Sequence, residues 1–442
     1  MKPFYILIAA IGMTGILFPA AGTGMDGTLH KDKEHPIPSI GHDTNPLRLE
    51  DLISKALSDS PAIQAARAKF EASRELIDPA SALPDPELEF SIEENLRSVS
   101  SPDFVKSELR LKQAIPYPGK RGIKGKIARA ESDAEYAAVI DTRREVIKEI
   151  RSLYAELYAI DSEVAALGIA RELIKLLEAT AAARYASGQG EQEGQIKAQL
   201  ETSRIMERLE DIASERKEIA AQLSRAMGNP KQDSIGRVTA LGEKGFTLDF
   251  LSRAEEKALL NAPSLHAGKA QLLAAELRLE AAKLDLRPDF FTGIGIALNA
   301  ENESEAGLSL GMTLPVWQKT KQKPLVRAAA ARLDEARKNL EAVQNSIQAE
   351  IVRYTARWNR DQEQIRRYQD AILPQTGAAL DSARASYLSG RADFSVVIED
   401  YNLWLDARTR LARREADRFI TWAGLEFLIE PYPIRTQKEE TP

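Results

Sequence analysis

Apolar residues recur every three or four positions over an unusually long stretch of this chain. Residues 120–185 contain no proline. Residues 320–386 repeat the pattern with Pro324 near the start and Pro374 inside, and Pro374 is expected to kink or interrupt a helix. The apolar positions of the first stretch include Ile150, Leu153, Leu157, Ile160, Val164 and Leu167. This spacing predicts a coiled-coil seam on a helix about 100 Å long. Taken alone, the seam favours an ordinary coiled coil.

Four shorter segments alternate apolar residues with polar or small ones, which is the pattern of half-exposed strands. They are residues 87–95, 108–115, 290–298 and 308–314. Their length is close to the roughly nine to eleven residues of a tilted strand crossing a bilayer. An apolar face opposite a polar or small one predicts strands of a membrane β-barrel. Two soluble hairpins capping a coiled coil are the alternative.

The chain carries the same landmarks twice, about 200 residues apart. The landmark pairs are Pro61 and Pro263, Pro116 and Pro315, and the turns Tyr185-Ala186-Ser187-Gly188 and Tyr387-Leu388-Ser389-Gly390. This order predicts an internal duplication, with repeats over residues 47–240 and 247–430. Each repeat is expected to hold a helix, a strand pair and two long helices joined at a glycine turn. Residues 23–46 are expected to be a flexible segment and residues 431–442 a C-terminal tail.

Four strands cannot close a barrel, and an open sheet edge in lipid leaves backbone groups unpaired at several kcal/mol each. Three copies would supply twelve strands, an even number within the known range. We therefore predict a mixed α+β membrane protein. Its homotrimer would form a 12-stranded outer-membrane β-barrel, four strands per protomer, continued by a long periplasmic α-helical coiled-coil tunnel.

The N-terminus and the composition indicate in which cellular compartment the protein is expected. Lys2, the apolar run over residues 4–18 and the small residues 20–22 predict a signal peptide over residues 1–22, with a membrane anchor as the alternative. No later stretch reads as a membrane-spanning helix, so strands would have to cross any membrane. The absence of cysteine excludes disulfides, thiolate zinc sites and a lipid anchor on cysteine. A net charge of −6 does not favour nucleic-acid binding.

From about Leu49 to Glu430 the sequence resembles the TolC family of outer-membrane efflux proteins. The motifs that carry this resemblance are Ser60-Pro61, Leu83-Pro84-Asp85-Pro86, the run from Gln113 to Arg121 and the two glycine turns. The run over residues 113–121 is closest to the outer-membrane components of heavy-metal cation exporters. The resemblance implies a trimer that docks with an inner-membrane RND pump through a periplasmic adaptor and passes substrates, here heavy-metal cations, without enzymatic chemistry.

The resemblance also places function at the two helical tips. Adaptor docking is expected at Arg184, Tyr185, Ser187, Gly188, Arg384, Ser389, Gly390 and Arg391. The aperture is expected to include Tyr387, Glu193 and Glu399. Family members often carry acids six residues after each tip glycine, whereas this chain has Gly194 and Val396 there. Glu399 matches the family's further acid, and three copies would form a cation-attracting ring. An ordinary helix–turn–helix with solvated flanks is the alternative.

No catalytic constellation, cofactor site or metal site is expected. His30, His35 and His42 lie among acidic residues that could ligate a metal, but their spacing matches no closed site and a flexible segment explains them better. The alternative function is a periplasmic adaptor or coiled-coil scaffold without a channel. Two helical hairpins and few strands favour the channel.

Overall fold

The computed structural model describes residues 46–95, 103–188, 192–229, 235–242, 246, 251–299 and 303–433. The predicted signal peptide, the histidines at 30, 35 and 42, and residues 434–442 of the predicted tail lie outside these residues. Within them, no helix combines the length and the hydropathy that crossing a membrane requires.

Long helices and one sheet make up the described part of the chain. The helices are α1 (Leu49–Asp59), α2 (Pro61–Glu75), α3 (Ile77–Ser81), α4 (Lys120–Ala186), α5 (Gln192–Ala226), α6 (Ala254–Asn261), α7 (Pro263–Leu284), α8 (Gln322–Arg367), α9 (Leu373–Leu388) and α10 (Phe394–Ile429). The strands are β1 (Glu87–Asn95), β2 (Asp103–Ile115), β3 (Asp289–Asn299) and β4 (Ser304–Thr313). Short helices, a strand pair, a long helix, a glycine turn and another long helix therefore occur in this order twice.

Helix α4 is the central rod and packs against α5, α7 and α10. Its predicted seam is buried: Ile150 and Leu157 are fully covered, and Leu167 is 2% exposed. Toward the glycine turns the seam meets Ile212 of α5 and Val397 of α10, both fully buried. The apolar stripe thus lies between helices of both halves, as its spacing predicted.

The second long rod is interrupted where the sequence predicted. Residues Tyr368–Ile372 form a π-helical turn between α8 and α9. There the Leu373 N–H donates to the Tyr368 carbonyl, five residues back. Pro374 has no N–H to donate to the preceding turn and its ring clashes with the carbonyl four residues back, so a wider turn accommodates it.

The strands form a single antiparallel sheet in the order β1-β2-β3-β4. The central pair joins the two halves of the chain, with Leu109 opposite Ile296 and Ile115 opposite Phe290. Strands β2 and β4 begin four or five residues earlier than the alternation predicted. The added residues are mostly polar or small, and their ladder partners, for example Leu298 opposite Ser304, extend the strands through backbone pairing.

The sheet presents an apolar face that the described part of the chain leaves uncovered. Its side chains include Leu88 (68% exposed), Phe90 (65%), Ile294 (59%), Leu308 (71%) and Leu310 (77%). On the opposite face the strands carry charged or small residues, and the Phe291 ring lies where a Cβ on Gly311 would have to be. Apolar patches of this extent on a soluble protein mark a surface that another phase or partner covers.

A lysine locks the passage from β2 into α4. Lys120, with a side chain only 9% exposed, binds Asp289 at 3.0 Å and Asp285 at 3.2 Å. The Tyr117 N–H donates to the other oxygen of Asp289 at 2.7 Å, and Gly119 turns the chain at φ 95°. The start of the long rod in the first half is thereby fastened to the start of β3 in the second.

We expect Lys120→Met to lower the free energy of unfolding by about 1–3 kcal/mol, because both aspartates lose their cationic partner while solvent still screens them. Urea unfolding in detergent, followed by helical circular dichroism, measures this. Lys126→Met, at an exposed position on the same helix, is the matched control. Equal stability of the two variants would contradict the role of Lys120.

Candidate docking and aperture site at the helical tips

The two glycine turns have the same backbone geometry. Ser187 and Ser389 both end their helices at φ −88° and ψ 1°, and each is followed by a left-handed glycine, Gly188 at φ 69° and Gly390 at φ 78°. In both turns the glycine N–H donates to a tyrosine carbonyl at 3.0 Å. Glycine is favoured here because it adopts positive φ without the steric cost of a Cβ.

Arg184 joins the first tip to the second. Its guanidinium donates a hydrogen bond to the Tyr387 carbonyl and lies over the Tyr387 ring, 4.7 Å from the ring centre. Tyr387 is only 4% exposed and meets Phe394 edge to face, with ring centres 5.9 Å apart. Burial raises the pKa of the Tyr387 hydroxyl, and the positive charge of Arg184 opposes that rise. The structure therefore places Tyr387 inside the protomer, beneath the tip.

The other predicted tip residues form an exposed, polar surface. Tyr185 is 49% exposed, and Ser187, Arg384, Ser389 and Arg391 are exposed as well. Local hydrogen bonds fix the second turn: the Arg391 side chain donates to the Ser389 hydroxyl at 3.0 Å, and the Arg391 N–H donates to the Ser386 carbonyl at 2.9 Å. Basic and hydroxyl side chains are thus displayed on two rigid turns.

A cleft of about 750 Å³ lies between the tips, with Arg184, Glu193, Gly194, Lys197, Gly390 and Phe394 among its lining residues. Glu193 pairs with Lys197 across one helical turn at 2.6 Å, and this hydrogen bond lowers the pKa of Glu193. A Cβ on Gly194 would lie 3.7 Å from that of Phe394, so Gly194 brings α5 close to α10. The acid expected from the resemblance is replaced here by a packing contact.

Glu399 lies apart from that cleft, on the outward face of α10. Val397 and Tyr401 point into the core at 0% and 1% exposure, whereas Glu399 is exposed. Val396 (45% exposed) and Leu403 (53%) flank it at helical spacing on the same face. Glu399 is therefore on the surface of the protomer, whereas Tyr387 is buried inside it.

The sequence reading missed an exposed apolar stripe beside the tips. It comprises Ile196 and Leu200 on α5 with Val396 and Leu403 on α10, each 45–56% exposed. Their spacings of four and seven residues are helical, but the same spacing also describes the buried seam. Only the packing of α4 shows which stripe is covered.

Metal-binding groups are not gathered at this site. In the described ranges, no cluster of three or more His, Asp or Glu side chains is placed to hold a metal ion. His266 instead stacks on Tyr432, with ring centres 3.7 Å apart, far along the chain from either tip.

Comparisons with known proteins agree with this architecture. The model of the outer membrane efflux protein family matches residues 52–229 and 255–429. The cobalt-zinc-cadmium resistance protein CzcC of Cupriavidus metallidurans is 20% identical over 370 residues, covering 83% of this chain and 85% of CzcC.

Two solved structures have the same fold. The outer-membrane channel OprN superposes with a TM-score of 0.76 at 16% identity, covering 86% of this chain and 89% of OprN. The outer membrane protein VceC of Vibrio cholerae gives a TM-score of 0.75 at 18% identity, covering 87% of this chain and 96% of VceC. Because the family model spans most of both halves, the resemblance to TolC is confirmed and the chain belongs to the outer membrane efflux protein family.

Proposed function

We propose that three copies of this chain assemble into the outer-membrane channel of a tripartite efflux system. The observation that carries the proposal is the four-stranded sheet, which combines an uncovered apolar face with two outer edges that no described strand pairs. Lipid would cover the face, but lipid cannot satisfy the backbone groups of the edges. Pairing β4 of one copy with β1 of the next satisfies them and keeps the antiparallel alternation.

The helical part would continue the barrel as a tunnel into the periplasm. Helix α4 has 67 residues, which corresponds to about 100 Å. Exposed Ile196 and Leu200 on α5 suit contact with the helices of a neighbouring copy. We assign the exposed turn residues, including Tyr185, to the periplasmic adaptor, through which an inner-membrane RND pump would supply energy.

The substrate proposal is divalent metal cations. It is supported by the printed name of CzcC, a cobalt-zinc-cadmium resistance protein. Exposed Glu399 supports it as well, because three copies around a tunnel axis would attract cations. The chain is not proposed to catalyse a reaction and would act as a passive conduit.

Deletion of the gene followed by challenge with cobalt, zinc, cadmium, silver, drugs and dyes tests this function. Cells lacking the chain should become sensitive to the divalent metals, and the wild-type gene should restore tolerance. The Glu399→Gln variant should restore it only in part, because the cation-attracting charge is lost. Unchanged tolerance to every metal would overturn the cation assignment without affecting the architecture.

Fractionation separates this proposal from a periplasmic scaffold. A channel should be recovered from the outer membrane as a detergent-stable trimer. Recovery as a soluble periplasmic monomer would contradict the proposed assembly.

A further inference from the structure

The passage from β4 into α8 differs sharply from the equivalent passage in the first repeat. In the first, Tyr117 is half-buried and Lys120 is buried against two aspartates. In the second, Val316 is 70% exposed and Trp317 is 73% exposed. The duplicated position has therefore kept the first proline, Pro315, but has Trp317 where the first repeat has Pro118, and it lacks the buried ion pairs of Lys120.

The exposure of Trp317 follows from a well-defined turn. The Lys321 N–H donates to the Trp317 carbonyl at 2.9 Å, and the Lys323 N–H donates to the Gln318 carbonyl at 2.8 Å. Gln318 also reaches the Leu286 carbonyl beyond the end of α7, at 3.4 Å. The turn is thus attached to the body through Gln318, while Trp317 stays outside.

Val316 continues the apolar face of the sheet, and exposed Trp317 is the next residue. From Leu308 onward, every second residue along β4 and past its end is apolar and exposed: Leu308 (71%), Leu310 (77%), Met312 (52%), Leu314 (60%) and Val316 (70%). If lipid covers this face of the sheet, these exposed apolar side chains extend the lipid-facing surface from β4 onto the turn. The turn lies at the end of the sheet where the helices begin.

Three lysines follow immediately. Lys319, Lys321 and Lys323 are exposed, and none forms an ion pair with a residue that the structure describes. A cleft of about 590 Å³ lies between the apolar and basic parts, with Pro315, Val316, Trp317, Lys319 and Lys323 among its lining residues. An indole beside unpaired ammonium groups suits the boundary between acyl chains and phosphate headgroups.

We propose that residues 314–323 are a lipid-binding anchor that holds anionic phospholipid headgroups at the periplasmic surface of the outer membrane. Trp317 enters the headgroup region, and the three lysines bind the lipid phosphates. This inference rests on the proposed function, because it requires the sheet to be in a membrane. The anchor would fix how deeply the barrel is inserted in the membrane, and only the second repeat would supply it.

Tryptophan fluorescence in vesicles of phosphatidylglycerol and phosphatidylcholine tests the position of Trp317. The wild type and the Trp317→Phe variant are reconstituted with lipids brominated near the headgroup. The other three tryptophans lie in the helical part, where Trp358 and Trp422 are buried and Trp404 packs against a core cluster. Bromolipid should quench the wild type and leave the variant nearly unquenched. Equal quenching of both trimers, which is the result expected if the neighbouring copy covers Trp317, would overturn the anchor.

Native mass spectrometry of detergent-released trimers tests the lysines. The K319Q/K321Q/K323Q variant should retain several-fold less phosphatidylglycerol than the wild type, with unchanged phosphatidylcholine. The matched control K175Q/K217Q/K269Q removes three exposed helical lysines away from the turn and should retain wild-type levels. Equal loss in both variants would overturn specific headgroup binding. Trimers that assemble and conduct without lipid retention defeat the anchor alone, whereas failure of the wild type to insert defeats the proposed function as well.

Discussion

Leu308→Arg should abolish recovery of the assembled trimer from the outer membrane. Leu308 lies in the middle of β4, is 71% exposed and belongs to the apolar face of the sheet. An arginine facing lipid near the bilayer midplane costs about 2–4 kcal/mol, so three copies add about 6–12 kcal/mol to the assembly. Outer-membrane fractionation with unheated gel electrophoresis measures the trimer.

The neighbouring position provides the control, because adjacent residues of a strand face opposite sides. Gly307 is on the other face of β4, where a Cβ meets no heavy atom within 4 Å. Gly307→Arg should therefore assemble close to the wild-type level, with an altered conductance. Equal recovery of the two variants would contradict a lipid-facing sheet.

Arg184→Ala should loosen the periplasmic tips and raise the conductance of the isolated channel in planar bilayers. The change removes a charge-assisted hydrogen bond to the Tyr387 carbonyl and a cation–π contact, together about 2–4 kcal/mol per protomer. Cells carrying the variant should also become more sensitive to large hydrophilic antibiotics that the intact outer membrane excludes.

Two further variants test whether the contact between Arg184 and Tyr387 restricts the aperture. Arg184→Lys keeps the charge without the planar guanidinium and should give an intermediate conductance. Arg384→Ala removes an exposed tip arginine and should leave the isolated channel unchanged. A wild-type conductance for Arg184→Ala would show that the tie between Arg184 and Tyr387 does not restrict the aperture.

The long helices were predictable because their periodicity is strong and their length leaves few alternatives. The seam through Ile150 and Leu157 is buried as its spacing required, and Pro374 marks the break in the second rod. The alternation of β1 and β3 also identified strands, because each has one predominantly apolar face. The early starts of β2 and β4 were missed, since backbone pairing extends a strand regardless of which side chains it carries.

The candidate site was less accessible to sequence reasoning. The glycine turns follow from residue type, but the placement of Tyr387 beneath Arg184 depends on a contact between the C-terminal ends of α4 and α9, which are about 200 residues apart in the chain. The sequence showed that Gly194 stands where an acid was expected, but only the structure shows that this position packs beside Phe394. The lock formed by Lys120 joins residues far apart in the chain, and one sequence gives no sign of such pairing.

Cysteine cross-linking between β1 and β4 tests the central claim most directly. The natural chain has no cysteine, so an introduced pair can react only with itself. Within one sheet the two edges are three strand spacings apart, about 14 Å, which is too far for a disulfide. Glu89→Cys is combined in turn with Glu305→Cys, Gly307→Cys and Ser309→Cys, three positions on the same face of the sheet as Glu89, to sample three registers. If three copies close one barrel, at least one pair should give a covalent trimer in oxidised outer membranes; chains that stay monomeric in every register, although present in the membrane, would contradict it.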